Sequence, residues 1–244
     1  MDRQLLNRKI QYYIRDVEQS IQEPIMTKTL GRMPLDDAKA FFVLLPLLNG
    51  EEWSEELHVS ALAVGAVHAA FDIHDKVDIL DASSKEQQLM VLSGDHFSGI
   101  HYKLLASISD FAFITSMSEM IGRINETKTN LLMEEVESVQ ALIQSMTCIE
   151  SGCISEFLNT YGFSRYTKIT QSALALIWFS RKFSKNAIVR YGWTGNSMSK
   201  TDVEKAISVL TTILQEELVS AEFLSPFLKQ EILRLATPLL GKPI

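Results

Sequence analysis

The chain has 244 residues, enough for one substantial core, and nothing in it forces a second domain. A hydrophobic content of 46% is that of a globular protein, while only 11 glycines and 6 prolines suit long helices joined by short loops. The net charge of −7 argues against nucleic acid as a general partner. The two cysteines, Cys148 and Cys153, have no nearby histidine to complete a zinc set and read as reduced, half-buried thiols of a cytoplasmic protein.

From the N-terminus, Leu5 to Ile21 places Leu6, Ile10, Tyr13, Ile14 and Val17 on one helical face, and Pro24 should end that helix. Met1 to Arg15 is charged from the second residue, which is not the pattern of a signal peptide. Pro34, Asp36 and Asp37 open a second helix that runs through Phe41 and Leu47 and stops at Asn49-Gly50. The longest apolar run, Phe41 to Leu48, contains a proline and is too short to cross a bilayer, so no transmembrane segment is expected. Ser54-Glu55-Glu56 caps a third helix, with a turn at Asp81-Ala82-Ser83-Ser84 after it.

A fourth helix runs from about Lys85 to about Ile108 and passes Gly94 and Gly99, where something packs closely. Asp110 caps another, and Glu134 to Met146 and Cys148 to Thr160 continue the pattern. Tyr161-Gly162-Phe163-Ser164 is a break, Arg165 to Phe183 a largely buried helix, and Tyr191 to Asn196 a loop. Ser199 and Thr201-Asp202 begin a helix to about Leu218, and Glu222 to Ala236 closes the series. With no strand pattern and no fixed-period repeat, the expectation is one all-α helical bundle over residues 1–244.

The third helix organises the rest. Leu57, Val59, Leu62, Val64, Val67, Phe71, Ile73 and Val77 make it apolar on almost every side, the mark of a buried central helix. Ala61, Ala63, Gly65, Ala66, Ala69 and Ala70 let neighbouring helices, or an elongated apolar ligand, come close. Into this helix are set His68, Asp72 and Asp75 at i, i+4 and i+7, one stripe on one face. Buried carboxylates are costly unless paired, hydrogen-bonded or metal-bound. The stripe is therefore either a helix end opening onto a cavity or the remains of a site.

Ile73-His74-Asp75-Lys76-Val77-Asp78, followed by Leu92-Ser93-Gly94-Asp95, resembles the core of the trans-prenyl diphosphate synthases. Those enzymes carry Asp-Asp-x-x-Asp after a His and then Gly-Asp on the next helix. The stretch VLSGDHFSGIHYKLLASISD from Val91 to Asp110, with Ile124-Asn125-Glu126, is similar in particular to the small subunit (component I) of heterodimeric heptaprenyl diphosphate synthase. The resemblance implies an isoprenoid-synthase bundle. In its active members two aspartate motifs on facing helices hold magnesium ions against a diphosphate.

This chain departs from that pattern. Lys76 occupies the second position of the first motif and Ile79 the last, while Asp78 lies one residue early and so points about 100° away around a helix. Lys76 is also four residues after Asp72, the spacing of an intrahelical salt bridge. Ile79 to Met90 contains no arginine to match the diphosphate-gripping Arg-Arg-Gly, and Asp37 to Phe42 stands where Gly-Lys-Arg-x-Arg-Pro belongs. From Phe157 to Thr201 there is no Asp or Glu, so the second motif is missing. Asp72, His74, Asp75, Asp78 and Asp95 read as a degenerate first motif, with no catalytic residue and no metal on this chain. Ala66, Ala69, Ala70 and Phe71 precede it, where the resemblance implies a prenyl channel; the alternative is plain helix packing.

The acid-free stretch carries Arg165, Lys168, Arg181, Lys182, Lys185, Arg190 and Lys200, with Trp193 between Gly192 and Thr194. It is either a solvated face or a surface for an acidic partner, a phosphate-bearing substrate or anionic lipid, for which Trp193 is a candidate anchor. Three functional readings stand. The first is a regulatory subunit pairing with an aspartate-rich catalytic large subunit (component II). That complex would share an isoprenoid diphosphate, with magnesium in the partner and no cofactor on this chain. The resemblance implies heptaprenyl diphosphate made from farnesyl and isopentenyl diphosphates for the menaquinone side chain. The second is a stand-alone metal-dependent isoprenoid enzyme with an altered motif. The third is a helical scaffold or regulator without an isoprenoid role.

Overall fold

Asp2 accepts a hydrogen bond from the Leu5 amide at 2.8 Å and so caps α1 (Arg3–Ile21), which buries the expected stripe from Leu6 to Ile21. The structure, a computed structural model, describes residues 1–31, 35–77, 84–133, 138–184, 189–190 and 197–236, without the side chains of 182–184, 189–190 and 197–198. The chain forms two compact units, Met1–Ser116 and Met117–Ile244.

In the first unit Pro24 does not only end α1. With Glu23 capping the Met26 amide at 2.7 Å, it starts a short helix, α2 (Pro24–Leu30). Proline fits a first helical turn because its missing N–H would be unpaired there anyway. The single helix expected from Asp36 to Asn49 is two, α3 (Asp37–Val43) and α4 (Leu45–Asn49). Pro46 explains the division, since a proline has no amide to continue the ladder and crowds the carbonyl four residues back. Gly50, at φ 97°, closes α4 in the left-handed conformation.

Helix α5 (Glu55–His74) is capped by Ser54 and packs with α1, α3 and α6 (Lys85–Ser107). Thirteen of its residues are buried, including every one from Ser60 to Ala70. Each large apolar side chain so buried is worth about 1.5–3 kcal/mol over exposure. Gly65 brings α1 close: a β-carbon there would stand 2.5 Å from Val17 Cγ2 and 2.8 Å from Tyr13 Oη. Tyr13 Oη donates to the Ala61 carbonyl at 2.8 Å. Among the described residues α5 is also the one helix long and apolar enough to cross a membrane, and 78% of its apolar window is buried within the protein. His68 and Asp72 interrupt its apolar sequence. A central helix of a protein core meets the same criterion of length and apolarity as a membrane span.

The unit boundary falls within α7 (Phe111–Met133), whose start Asp110 caps through the Phe113 amide at 3.0 Å. In the second unit, the two helices expected on either side of Thr147 are one continuous α8 (Val139–Thr160), capped by Ser138. Thr147 folds its hydroxyl back onto the Ile143 carbonyl at 2.7 Å and so does not break the helix. Gly162, at φ 80°, turns the chain into a 3₁₀ turn (Ser164–Tyr166) and then α9 (Thr167–Ser184). Helix α9 is the core of this unit and packs with α8, α10 (Lys200–Ser220) and α11 (Pro226–Ala236). Among the described residues a two-residue antiparallel pair, β1 (Val189–Arg190) with β2 (Ser197–Met198), adds to the all-α expectation, in register Val189 to Met198.

Candidate functional site

The end of α5 carries the polar stripe in a gradient from core to solvent. His68 is buried, Asp72 is partly covered, and Asp75 is exposed just past the last helical residue, His74. Lys76, expected as the i+4 partner of Asp72, also lies beyond that last turn. The ion pair of Asp72 runs instead to α3, where Lys39 Nζ stands 3.4 Å from Asp72 Oδ1. The Lys39 side chain is 10% exposed, and its neighbours from Ala38 to Val43 are all buried. A lysine in such surroundings keeps its charge only beside an anion. Asp78 lies outside the described residues.

His74 faces α6. Its Nε2 is 3.7 Å from Asp95 Oδ1, and its ring packs against the backbone at Gly94, where a β-carbon would come within 2.6 Å of three ring atoms. Gly94 thus has the close neighbour expected of it. Gly99 does not: nothing lies within 4 Å of the β-carbon position there. His101, also on α6, is buried, which pushes its imidazole below the usual histidine range.

Ala66, Ala69 and Ala70 belong to one buried cluster with Ile21 of α1, Ile73 of α5 and Phe97 of α6; Phe71 is half-buried. Their small side chains make room for those larger ones. A cavity of about 300 Å³ opens beside the cluster, lined among others by Arg15, Met26, Leu30, Ile73, Ser93 and Phe97. Neither the three alanines nor Asp72, His74, Asp75 and Asp95 line it.

In the second unit the basic stretch finds partners in α10 and in the loop that follows it. Lys168 Nζ lies 3.8 Å from Glu217 Oε1, and the Arg165 guanidinium sits over the Phe223 ring at 4.8 Å. Arg181 is exposed near the end of α9; Lys185 and Trp193, with the side chains of Lys182 and Arg190, lie outside the described residues. A cavity of about 520 Å³ is lined by Arg123, Ile143, Cys148, Ser155, Lys168 and Gln171 among others, and Gln171 Nε2 donates to Ser155 Oγ at 3.3 Å. The two cysteines are not joined in a disulfide; Cys153 is fully buried rather than half-buried, and Cys148 is half-buried.

The profile of the family described as heptaprenyl diphosphate synthase (HEPPP synthase) subunit 1 matches residues 24–192. The chain belongs to this family. One curated member, heptaprenyl diphosphate synthase component 1 of Geobacillus stearothermophilus, is 30% identical over 115 residues, which is 47% of this chain and 52% of that protein. The chain thus matches about half the length of that relative. Solved structures share the fold. An isoprenoid synthase family member from Thermotoga neapolitana superposes with a TM-score of 0.67 at 15% identity, over 96% of this chain and 97% of that one. Heptaprenyl diphosphate synthase from Staphylococcus aureus gives 0.62 at 11% identity, over 95% and 98%. A deletion mutant of the heterotetrameric geranyl pyrophosphate synthase of mint gives 0.64 at 15%, over 96% and 99%.

Against that fold, the end of α5 in this subunit 1 chain can be tested for magnesium, which takes oxygen ligands in near-octahedral geometry. Asp72 carries an ammonium, Asp75 is exposed beyond the helix, and among the described residues no three His, Cys, Asp or Glu side chains gather to hold an ion. Asp72 and Asp75, the described carboxylates at this helix end, do not by themselves make that ligand set. Lys39 lies inside Asp37 to Phe42, the stretch that stands where Gly-Lys-Arg-x-Arg-Pro belongs, but its pairing with Asp72 does not follow from the sequence. Its signal was present, as the one charged residue in the otherwise apolar run Ala38 to Leu48.

Proposed function

We propose that this chain is the small, regulatory subunit of a heterodimeric heptaprenyl diphosphate synthase. It pairs with an aspartate-rich large subunit that holds the magnesium and carries out prenyl transfer from farnesyl and isopentenyl diphosphates. In this reading it acts in the cytoplasm, assists assembly and product-length control, and serves the menaquinone side chain. The carrying observation is the state of the first motif: Lys76 and Ile79 stand at two of its aspartate positions, and Asp72, three residues before it, is paired with Lys39 from within the chain. Membership of the subunit 1 family and the missing acids between Phe157 and Thr201 support the same reading.

The purified chain, given both diphosphates and magnesium, makes no prenyl product in this reading, and product forms once the large subunit is added. Sustained turnover by the chain alone overturns it and favours a stand-alone enzyme.

A further inference from the structure

We propose that the outer face of α6 pairs two copies of this chain, helix against antiparallel helix, across a two-fold axis at Gly99. Gly99 lies exposed in the middle of α6, with nothing within 4 Å of its β-carbon position. Glycine weakens a helix interior relative to alanine, and helices keep it where a neighbour approaches closely. Gly94, on the inner side of the same helix, has that neighbour in His74. Gly99 faces outward, and the neighbour that fits it is another molecule. Along the same face Leu92, Asp95, Gly99, Tyr102 and Ala106 follow at intervals of three and four, one continuous exposed stripe. Leu92 is 55% and Tyr102 43% exposed, on a helix whose opposite side is already buried through Phe97, His101 and Leu105.

The order of residues about Gly99 identifies the occupant as a second copy. In an antiparallel pair centred there, a residue some places before Gly99 stands level with the residue as many places after it in the other copy. Asp95 and Lys103, four before and four after, become opposite charges at one level, twice in each pair. Leu92 and Ala106, seven either side, set a large apolar side chain beside a small one. His96 and Tyr102, three either side, bring two rings together. Within α6 neither Asp95 nor Lys103 has an opposite charge three or four residues away. Asp95 meets His74 Nε2 at 3.7 Å with its side chain still 68% exposed, and Lys103 makes no ion pair among the described residues. Helix α6 has 23 residues and is therefore about 34 Å long. One helix pair of that length buries less than the roughly 1,600 Å² of a standard stable interface, so the pairing is weak and depends on concentration. It involves this chain alone, and its outcome is separate from whether a large subunit restores prenyl transfer.

Sedimentation velocity of the full chain from about 1 to 100 µM tests the pairing. The wild type is expected to move from 27.5 kDa toward twice that mass. Asp95→Lys and Lys103→Asp each set like charges together and are expected to stay single throughout. Gly99→Leu, whose side chain meets open space within its own chain, is expected to stay single as well. A mixture of Asp95→Lys with Lys103→Asp restores opposite charges at both contacts and is expected to pair. Circular dichroism checks that each variant is folded, and if Asp95→Lys is not, Lys103→Asp and Gly99→Leu carry the readout. A wild type that stays single up to about 100 µM overturns the proposal, as does a folded mixture that does not pair, or pairing that survives Gly99→Leu. A single wild type whose assembly with the large subunit is abolished by Gly99→Leu overturns it too, and assigns the face to that subunit.

Discussion

The imidazole of His74 packs directly on the α6 backbone at Gly94, a position where any side chain would overlap the ring. A helix–helix approach this close works only with hydrogen at the α-carbon, so the Gly-Asp pair at Gly94-Asp95 has a packing role independent of any metal chemistry. Gly94→Ala should push His74 out or part α5 from α6, and overpacking of this kind costs about 1–3 kcal/mol. Gly99→Ala, further along the same helix with nothing within 4 Å of its β-carbon position, should be neutral or gain about 0.5–1 kcal/mol from the lost flexibility of glycine. Urea unfolding of the two variants side by side is the measurement; equal stability would remove the packing role from Gly94.

Tyr13 predicts an alkaline weakness. Its phenol is buried at the α1–α5 contact, and burial pushes its pKa well above the ordinary range, with the Gly65 backbone as a smaller opposing influence. A raised folded-state pKa on a group that is neutral when protonated means that the folded chain holds the proton more tightly than the unfolded one. The associated stability is complete below the ordinary tyrosine pKa of about 10 and is lost as pH climbs above it. Tyr13→Phe should cost about 0.5–1.5 kcal/mol near neutral pH through the hydrogen bond to Ala61. It should then lose less than the wild type between about pH 9 and pH 11. Parallel unfolding curves at the two pH values check this, and equal losses would show that Tyr13 does not titrate on unfolding.

Ala70 tests the meaning of the small residues on α5. Because Ala66, Ala69 and Ala70 share a cluster with Ile21 and Phe97, Ala70→Phe should destabilise this chain itself by about 1–3 kcal/mol, while Lys85→Ala, at the start of α6, should not. Chain-length analysis of the complex with the large subunit then separates packing from product control. A shortened product from a stably assembled Ala70→Phe complex assigns the position to the prenyl channel, and an unchanged distribution assigns it to the core.

Asp75 should matter little to turnover. It is exposed and stands beyond α5, so Asp75→Ala in the complex should lower the rate by less than about tenfold, or about 1.4 kcal/mol. A loss of about a thousandfold with assembly intact, near 4 kcal/mol, would make this carboxylate catalytic.

Much of the architecture was legible locally. Ser54, Asp36, Asp110 and Ser199 cap the helices they were expected to cap, because a capping hydrogen bond spans only two or three residues. The buried character of α5 followed from its all-round apolar pattern. Proline was harder to read: Pro24 starts a helix and Pro46 divides one, and the residue type alone does not say which side of it the helix lies on.

By itself the sequence determined most of the helices, the apolar central one among them, and the absence of acids from Phe157 to Thr201. Periodicity, capping and composition act over a turn or two of chain, and a reader of the sequence has all of that information. The partners at the site were decided by tertiary structure alone. Lys76 has the right spacing for Asp72, but α5 stops at His74, and the cation that reaches the carboxylate comes from Lys39 on another helix. His74 meets Gly94, and Lys168 meets Glu217, for the same reason. Such pairings depend on where packed helices place distant side chains, and no spacing rule along one helix encodes that.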